Sequence, residues 1–196
     1  MNAIELKEHA RKRALVWTKE PFDASTCQEV GRLLEENDDA LVERFYTDLE
    51  FGTGGLRGLM GPGTNRMNRY TVAQTTQGLA QYVLDSGSSN PSVAIAHDSR
   101  NGSPEFARVA AEVLAGNGIR VFLYPALRPT PQLSFTVRNK GCTAGIVITA
   151  SHNPKEYNGY KVYWSDGGQI VPPHDSRIIQ EVRNVHSMDS VRWAAD

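Results

Sequence analysis

The chain has 196 residues, 40% of them hydrophobic and 22% charged, with a formal net charge of −1. That length predicts one domain with a core of its own, and the charge balance lacks the basic excess typical of nucleic-acid and membrane-surface binders. No apolar run reaches the length of a membrane span, and Met1 to Lys7 lack the apolar core of a signal peptide, so a cytoplasmic location is expected. Cys27 and Cys142 lie far apart without metal spacing and read as two reduced thiols.

Residues 3–18 favour helix and stop before Pro21. Ser25 with Gln28, or Thr26 with Glu29, fits a capping box for a second helix. Asp38 or Asp39 can cap a third, which carries Leu41, Val42, Phe45 and Tyr46. These helices predict packing material, with their charges on the solvated face. From Phe51 to Asn68 six glycines (Gly52, Gly54, Gly55, Gly58, Gly61, Gly63) crowd a stretch too glycine-rich for a helix or a regular strand interior. A loop or irregular hairpin with close backbone approach is expected there.

Tyr70 to Leu84 reads as a helix with Val72, Leu79, Tyr82 and Val83 inward, followed by a surface loop from Ser86 to Pro91. Three β-rich runs, 93–96, 121–124 and 146–149, are expected as adjacent strands buried on both faces. Between them Ser103-Pro104 opens a helix that Gly116-Asn117-Gly118 ends, and Pro129-Thr130-Pro131 opens another to Arg138. Strands alternating with helices predict a three-layer α/β/α domain with a mixed, largely parallel sheet. Asn158-Gly159 reads as a turn, Tyr160 to Trp164 as a strand, and Asp166-Gly167-Gly168 as a turn toward Ile170. A helix from about His174 to His186 completes the chain. The expected divisions are a helical extension at 1–50, the domain at 51–190 and a tail or linker at 191–196.

The chemistry concentrates at Gly145 to Lys161. A buried strand breaks at Ala150 into Ser151-His152-Asn153-Pro154, and Pro154 steers Asn153 away from the α region. Ser151 and His152 then sit on a fixed loop past a strand's carboxyl end, where open α/β sheets bind ligands. His152, Lys155 and Lys161 surround the hydroxyl with basic groups, which suits a phosphate ester better than an acyl enzyme. No Gly-x-Ser-x-Gly elbow surrounds Ser151, which argues against a serine hydrolase. Taken alone, a Ser-His pair is weak evidence, His152 serves equally well as a loop-orienting group, and Lys155 reads as solvated. Asp98 and Arg100, just past the 93–96 strand, are placed to brace the serine loop through charge-assisted bonds.

Thr149-Ala150-Ser151-His152-Asn153-Pro154 resembles the active-site serine loop of the α-D-phosphohexomutases, the phosphoglucomutases and phosphomannomutases. Phe51-Gly52-Thr53-Gly54-Gly55-Leu56-Arg57-Gly58, with Gly61 to Asn68 behind it, resembles the N-terminal signature of the phosphoglucomutase/phosphopentomutase branch, Gly54 standing where alanine is commoner. The resemblance covers nearly the whole chain but only the first of four domains. It implies that Ser151 carries a phosphoryl group to a small-molecule sugar phosphate through a bisphosphate intermediate, primed by a sugar bisphosphate activator. It also implies that Arg57, His152, Asn153 and Lys161 bind phosphate, with Lys161 the candidate for proton transfer and Arg57 and His152 its electrostatic partners. Mg²⁺ would bind the serine phosphate and take its remaining ligands from an Asp-Gly-Asp loop in a later domain. Ser165-Asp166-Gly167-Gly168 has the wrong pattern for that loop, so the expectation is an N-terminal piece of a longer mutase, inactive alone. Glucose, mannose and pentose phosphates all stay open, with phosphoglucomutase leading. The alternative is a non-catalytic phosphate-binding or regulatory module that keeps the mutase domain fold.

Overall fold

The computed structural model describes residues 2–36, 38–52 and 54–195; Thr53 of the glycine-rich signature and the side chain of Asp38 lie outside this set. Three helices come first: α1 (Ala3–Val16), α2 (Ala24–Glu36) and α3 (Asp38–Phe45). They close over a cluster of their own, Ala10, Ala14, Trp17, Phe22, Val30, Leu41 and Phe45, joined by Tyr70 from the main domain. Trp17 stacks on Phe22 with ring centroids 4.4 Å apart.

The cap of α2 is Asp23, not Ser25 or Thr26. Its carboxylate accepts from the Thr26 amide at 2.9 Å, the Thr26 hydroxyl at 2.8 Å and the Tyr70 hydroxyl at 2.7 Å. Ser25 and Thr26 are already inside the helix, so their hydroxyls serve the cap instead of acting as one. Partial burial pushes the Asp23 carboxyl up, but the bonds from Ser25, Thr26 and Tyr70 outweigh it and hold the group well below the usual carboxylate range. A depressed carboxylate pKa stabilises the fold above the unfolded value and loses that contribution as the pH falls. Asp23→Asn is therefore expected to lower stability at pH 7 by about 1 kcal/mol. In urea titrations its deficit against the parent chain should narrow as the pH drops below about 4. A deficit that stays constant with pH counts against this account.

The main domain is a six-stranded mixed sheet in the order β1-β2-β6-β5-β3-β4, with β1 at Phe51–Gly52, β2 at Gly55–Leu59, β3 at Ser92–His97, β4 at Arg120–Leu123, β5 at Ala144–Ile148 and β6 at Tyr157–Trp164. Parallel pairing is confined to β5-β3-β4; β6, β2 and β1 extend the sheet antiparallel. The three parallel strands are those expected from the β-rich runs. One face packs on α4 (Arg69–Asp85), α5 (Ser103–Gly116) and α7 (His174–Asn184), burying Val72, Leu79, Val113, Ile95, Ile146 and Ile178 among others. The other face packs Ala94, Ala96 and Val147 against Leu133 and Val137 of α6 (Thr130–Lys140). This is a three-layer α/β/α domain.

Two readings of glycine need correction. Gly55–Leu59 is a regular strand despite its glycines, though it pairs antiparallel with β1 and makes the expected close backbone approach: Gly55 faces the Tyr160 carbonyl so closely that a Cβ would sit 1.9 Å from it. Asn158-Gly159 is not a turn but lies inside β6. A Cβ on Gly159 would meet the Thr149 carbonyl at 2.6 Å and that of Leu56 at 2.9 Å, so glycine is needed for close strand approach. The last residues are docked: Val191 is buried, and the Ala194 amide donates to the Glu112 carbonyl of α5 at 3.0 Å.

Candidate active site

Strand β5 ends at Ile148, and the chain turns at once into the serine loop. Ser151 has φ 59, the sole positive φ of a non-glycine among the described residues. Left-handed backbone is costly for a side chain with a Cβ and persists where its surroundings over-determine it. Both backbone groups of Ser151 are indeed held. Its N–H donates to the Thr149 hydroxyl at 3.0 Å, and its carbonyl accepts from Arg100 Nη2 at 2.8 Å. The side chain is left exposed.

Arg100 commits its guanidinium to this loop. Nη2 also donates to the Asn153 carbonyl at 2.7 Å, and Nη1 donates to the carbonyls of Pro154 at 2.9 Å and Tyr157 at 3.2 Å. Its Nε faces Asp98 Oδ2 at 3.3 Å, and Asp98 Oδ1 accepts from the Arg100 amide at 3.0 Å.

Arg57 and Lys161 arrive from strands rather than from loops. In the β2-β6 register Arg57 lies opposite Gly159 and Gly55 opposite Lys161, so the two cations are diagonal neighbours on one sheet face. The bare Gly159 stands between Arg57 and Thr149, whose amide donates to the Gly159 carbonyl at 2.9 Å. Arg57 Nη1 reaches the serine loop, donating to Asn153 Oδ1 at 3.0 Å. Lys161, half-buried, pairs in β6 with Val147 of β5, four residues before Ser151. His152 and Lys155 are exposed on the loop. The neighbouring Tyr160 is fully buried, and burial pushes its phenol up, against a weaker opposing hydrogen bond with Thr76, so it keeps its proton near neutral pH. Thr149 is the residue the motif hid. A hydroxyl two positions before an exposed Ser is the signal for the turn it forms.

The site is an open surface. A cavity of about 1060 Å³ lies between α1, α4 and the end of α7, and none of Arg57, Ser151 and Lys161 lines it. Among the described residues no group of three or more His, Cys, Asp or Glu is placed to hold a metal ion. Asp98, the carboxylate nearest in the chain to the loop's tether, is already engaged by Arg100 and by the Ser103 hydroxyl. The side chains here thus offer fixed cations and an exposed hydroxyl, an arrangement suited to an anionic ester.

Comparison with known proteins gives the same answer from a separate direction. The family model for phosphoglucomutase/phosphomannomutase, alpha/beta/alpha domain I, matches residues 48–188. Human phosphopentomutase is 45% identical over 175 residues, 85% of this chain and 29% of that protein. Phosphoglucomutase of Staphylococcus haemolyticus (strain JCSC1435) is 42% identical over 165 residues, 78% of this chain and 30% of that protein. The crystal structure of a phosphoglucomutase/phosphomannomutase family protein from Burkholderia thailandensis superposes with a TM-score of 0.60 at 22% identity, over 74% of this chain and 31% of that one, a likeness of fold alone. The chain spans under a third of the length of these curated relatives. By its sheet, its serine loop and its match across residues 48–188, the chain belongs to the phosphoglucomutase/phosphomannomutase family and carries that family's domain I.

Proposed function

We propose that this chain is the phosphoserine-bearing domain of a phosphosugar mutase, with interconversion of glucose 1-phosphate and glucose 6-phosphate the leading reaction and pentose or mannose phosphates the alternatives. In this reading residues 51–190 are the working domain, 1–50 an extension on it, and 191–196 the lead into further domains that close the site. Ser151 carries the phosphoryl group as its ester. In the first half-reaction the ester P–O bond breaks, a sugar hydroxyl forms the new P–O bond, and its proton passes to the serine oxygen. The bisphosphate turns over, and its other phosphoryl group returns to Ser151, which gives up the proton. A sugar bisphosphate loads the serine initially.

Lys161 is the proton-transfer candidate, because it lies on the sheet face that Arg57 shares, one diagonal position from it. Arg57 and His152 meet the negative oxygens, with Asn153 holding Arg57 in place. Mg²⁺ fits the reading only through the serine phosphate. Among the described residues no carboxylate set for it forms, so those ligands would come from elsewhere.

The observation that carries the reading is Ser151 itself: exposed, pinned through both backbone groups in a left-handed conformation, on a loop that Arg57 touches. The test is phosphopeptide mapping of the mutase that contains this domain after incubation with glucose 1,6-bisphosphate. A phosphoryl group on Ser151 that leaves on addition of glucose 6-phosphate is the expected result. An unmodified Ser151 in an active enzyme would overturn the covalent mechanism, and in an inactive one it would favour the phosphate-binding module.

A further inference from the structure

Behind Arg100 the loop's tether continues into the core. Asn158 and Ser103 are both fully buried, at 0% exposure. Asn158 Nδ2 donates to the Ser103 hydroxyl oxygen at 2.9 Å and to the Asn101 carbonyl at 3.0 Å, while its Oδ1 accepts from the Gly159 amide at 2.8 Å. The Ser103 hydroxyl in turn donates to Asp98 Oδ1 at 2.7 Å. Asp98 holds the Arg100 side chain and amide. Arg100 then binds four carbonyls of the segment from Ser151 to Tyr157.

This is a continuous path of hydrogen bonds, with one ion pair between Asp98 and Arg100, from the middle of the sheet to Ser151. Every member has its partners: Ser103 accepts once and donates once, and the guanidinium meets Asp98 and the four carbonyls. A satisfied buried network specifies one geometry, because any displaced member leaves a polar group unpaired in a poor solvent. Asp98 is the pivot. Two donors fix its Oδ1, so the plane it presents to Arg100 is set from the core side rather than by solvent. The path also explains why Asn158 stands in a strand, where its type is disfavoured: its amide serves the network, not the ladder.

We propose that Ser103 and Asn158 are positioning residues for phosphoryl transfer at Ser151, acting through Asp98 and Arg100. The proposal rests on the reading of Ser151 as phosphoryl carrier. Neither residue touches the reacting atoms; they set the angle of the guanidinium that holds the Ser151 carbonyl, and hence the direction of its hydroxyl.

The test has two arms. In this chain, Ser103→Ala should speed amide exchange across residues 149–157 by roughly tenfold, with the amides of α4 and β3 unchanged. In the mutase that contains the domain, the same change should lower kcat about tenfold while leaving KM within about twofold, the split expected when an interaction matters mainly in the transition state. Ser103→Thr, which keeps the hydroxyl, should restore both. Because the path runs through Arg100, Ser103→Ala should add little in an Arg100→Lys background, where independent sites would give additive losses. Unchanged loop exchange and kcat in Ser103→Ala, additive losses in the double variant, or exchange accelerated uniformly over the sheet would each overturn the positioning role. If Ser103→Ala does not fold, Asn158→Asp, which keeps the acceptor for Gly159 and removes the donor to Ser103, replaces it in the same cycle. Failure of the carrier reading looks different: no phosphoryl group on Ser151 in the parent enzyme.

Discussion

Ser151→Ala in a mutase carrying this domain is expected to remove turnover by roughly 10⁴-fold or more, since the carrier of the transferred group is gone and the neighbouring Thr149 hydroxyl is buried. The fold should survive. The Ser151 side chain is exposed and contributes no packing, and its backbone is held through N–H and carbonyl, which alanine retains. Ser151→Gly sharpens the test, because glycine adopts φ 59 without the penalty that serine and alanine share. Both variants should lose activity, and the glycine variant should melt no lower than the parent chain. The assay is conversion of glucose 1-phosphate with bisphosphate present, alongside thermal melts. Near-normal turnover by either variant would show that another group carries the phosphoryl. Lys161→Ala should lower kcat far more than it raises KM.

Residues 1–196 by themselves should fold and yet give no measurable conversion of glucose 1-phosphate, even with Mg²⁺ and bisphosphate. Folding follows from the burial already closed within the chain: the cluster under α4, α5 and α7 and the cluster under α6 cover both faces of the sheet. Inactivity follows from the site. Arg57, Ser151 and His152 are exposed, so water weakens every charge–charge contact they make with a phosphate. Orienting the sugar is assigned in this reading to the further domains, and lost positioning alone costs on the order of 10²-fold or more. No metal-ligand cluster is present among the described residues. Robust turnover by the 196-residue chain would refute the idea that further domains are needed.

Much of this was legible in the residues, and the reason is locality. Buried strands 93–96, 121–124 and 146–149 announce themselves because a strand covered on both faces is apolar without alternation, a property of the segment alone. Proline at the start of α5 and α6 and glycine after their ends act within one turn. The serine loop is likewise local, a strand that stops at small residues before a proline. What failed were positions whose meaning depends on a distant neighbour. Asn158-Gly159 has a turn's composition, but Gly159 is glycine because Leu56 of β2 and Thr149, just past the end of β5, crowd it. Asp23 caps α2 partly because Tyr70, 47 residues on, donates to it.

The same division runs through the site. The sequence by itself determined the class of domain, singled out Ser151 as the candidate and placed basic residues around it, since residue type and immediate context carry that information. Only the tertiary structure decided that Arg57 and Lys161 share one face of the sheet, that Arg57 rests on Asn153, and that Arg100 gathers four carbonyls of the serine loop. Those contacts join residues more than fifty positions apart. Pairing register and helix packing bring them together, and neither is written in any one segment.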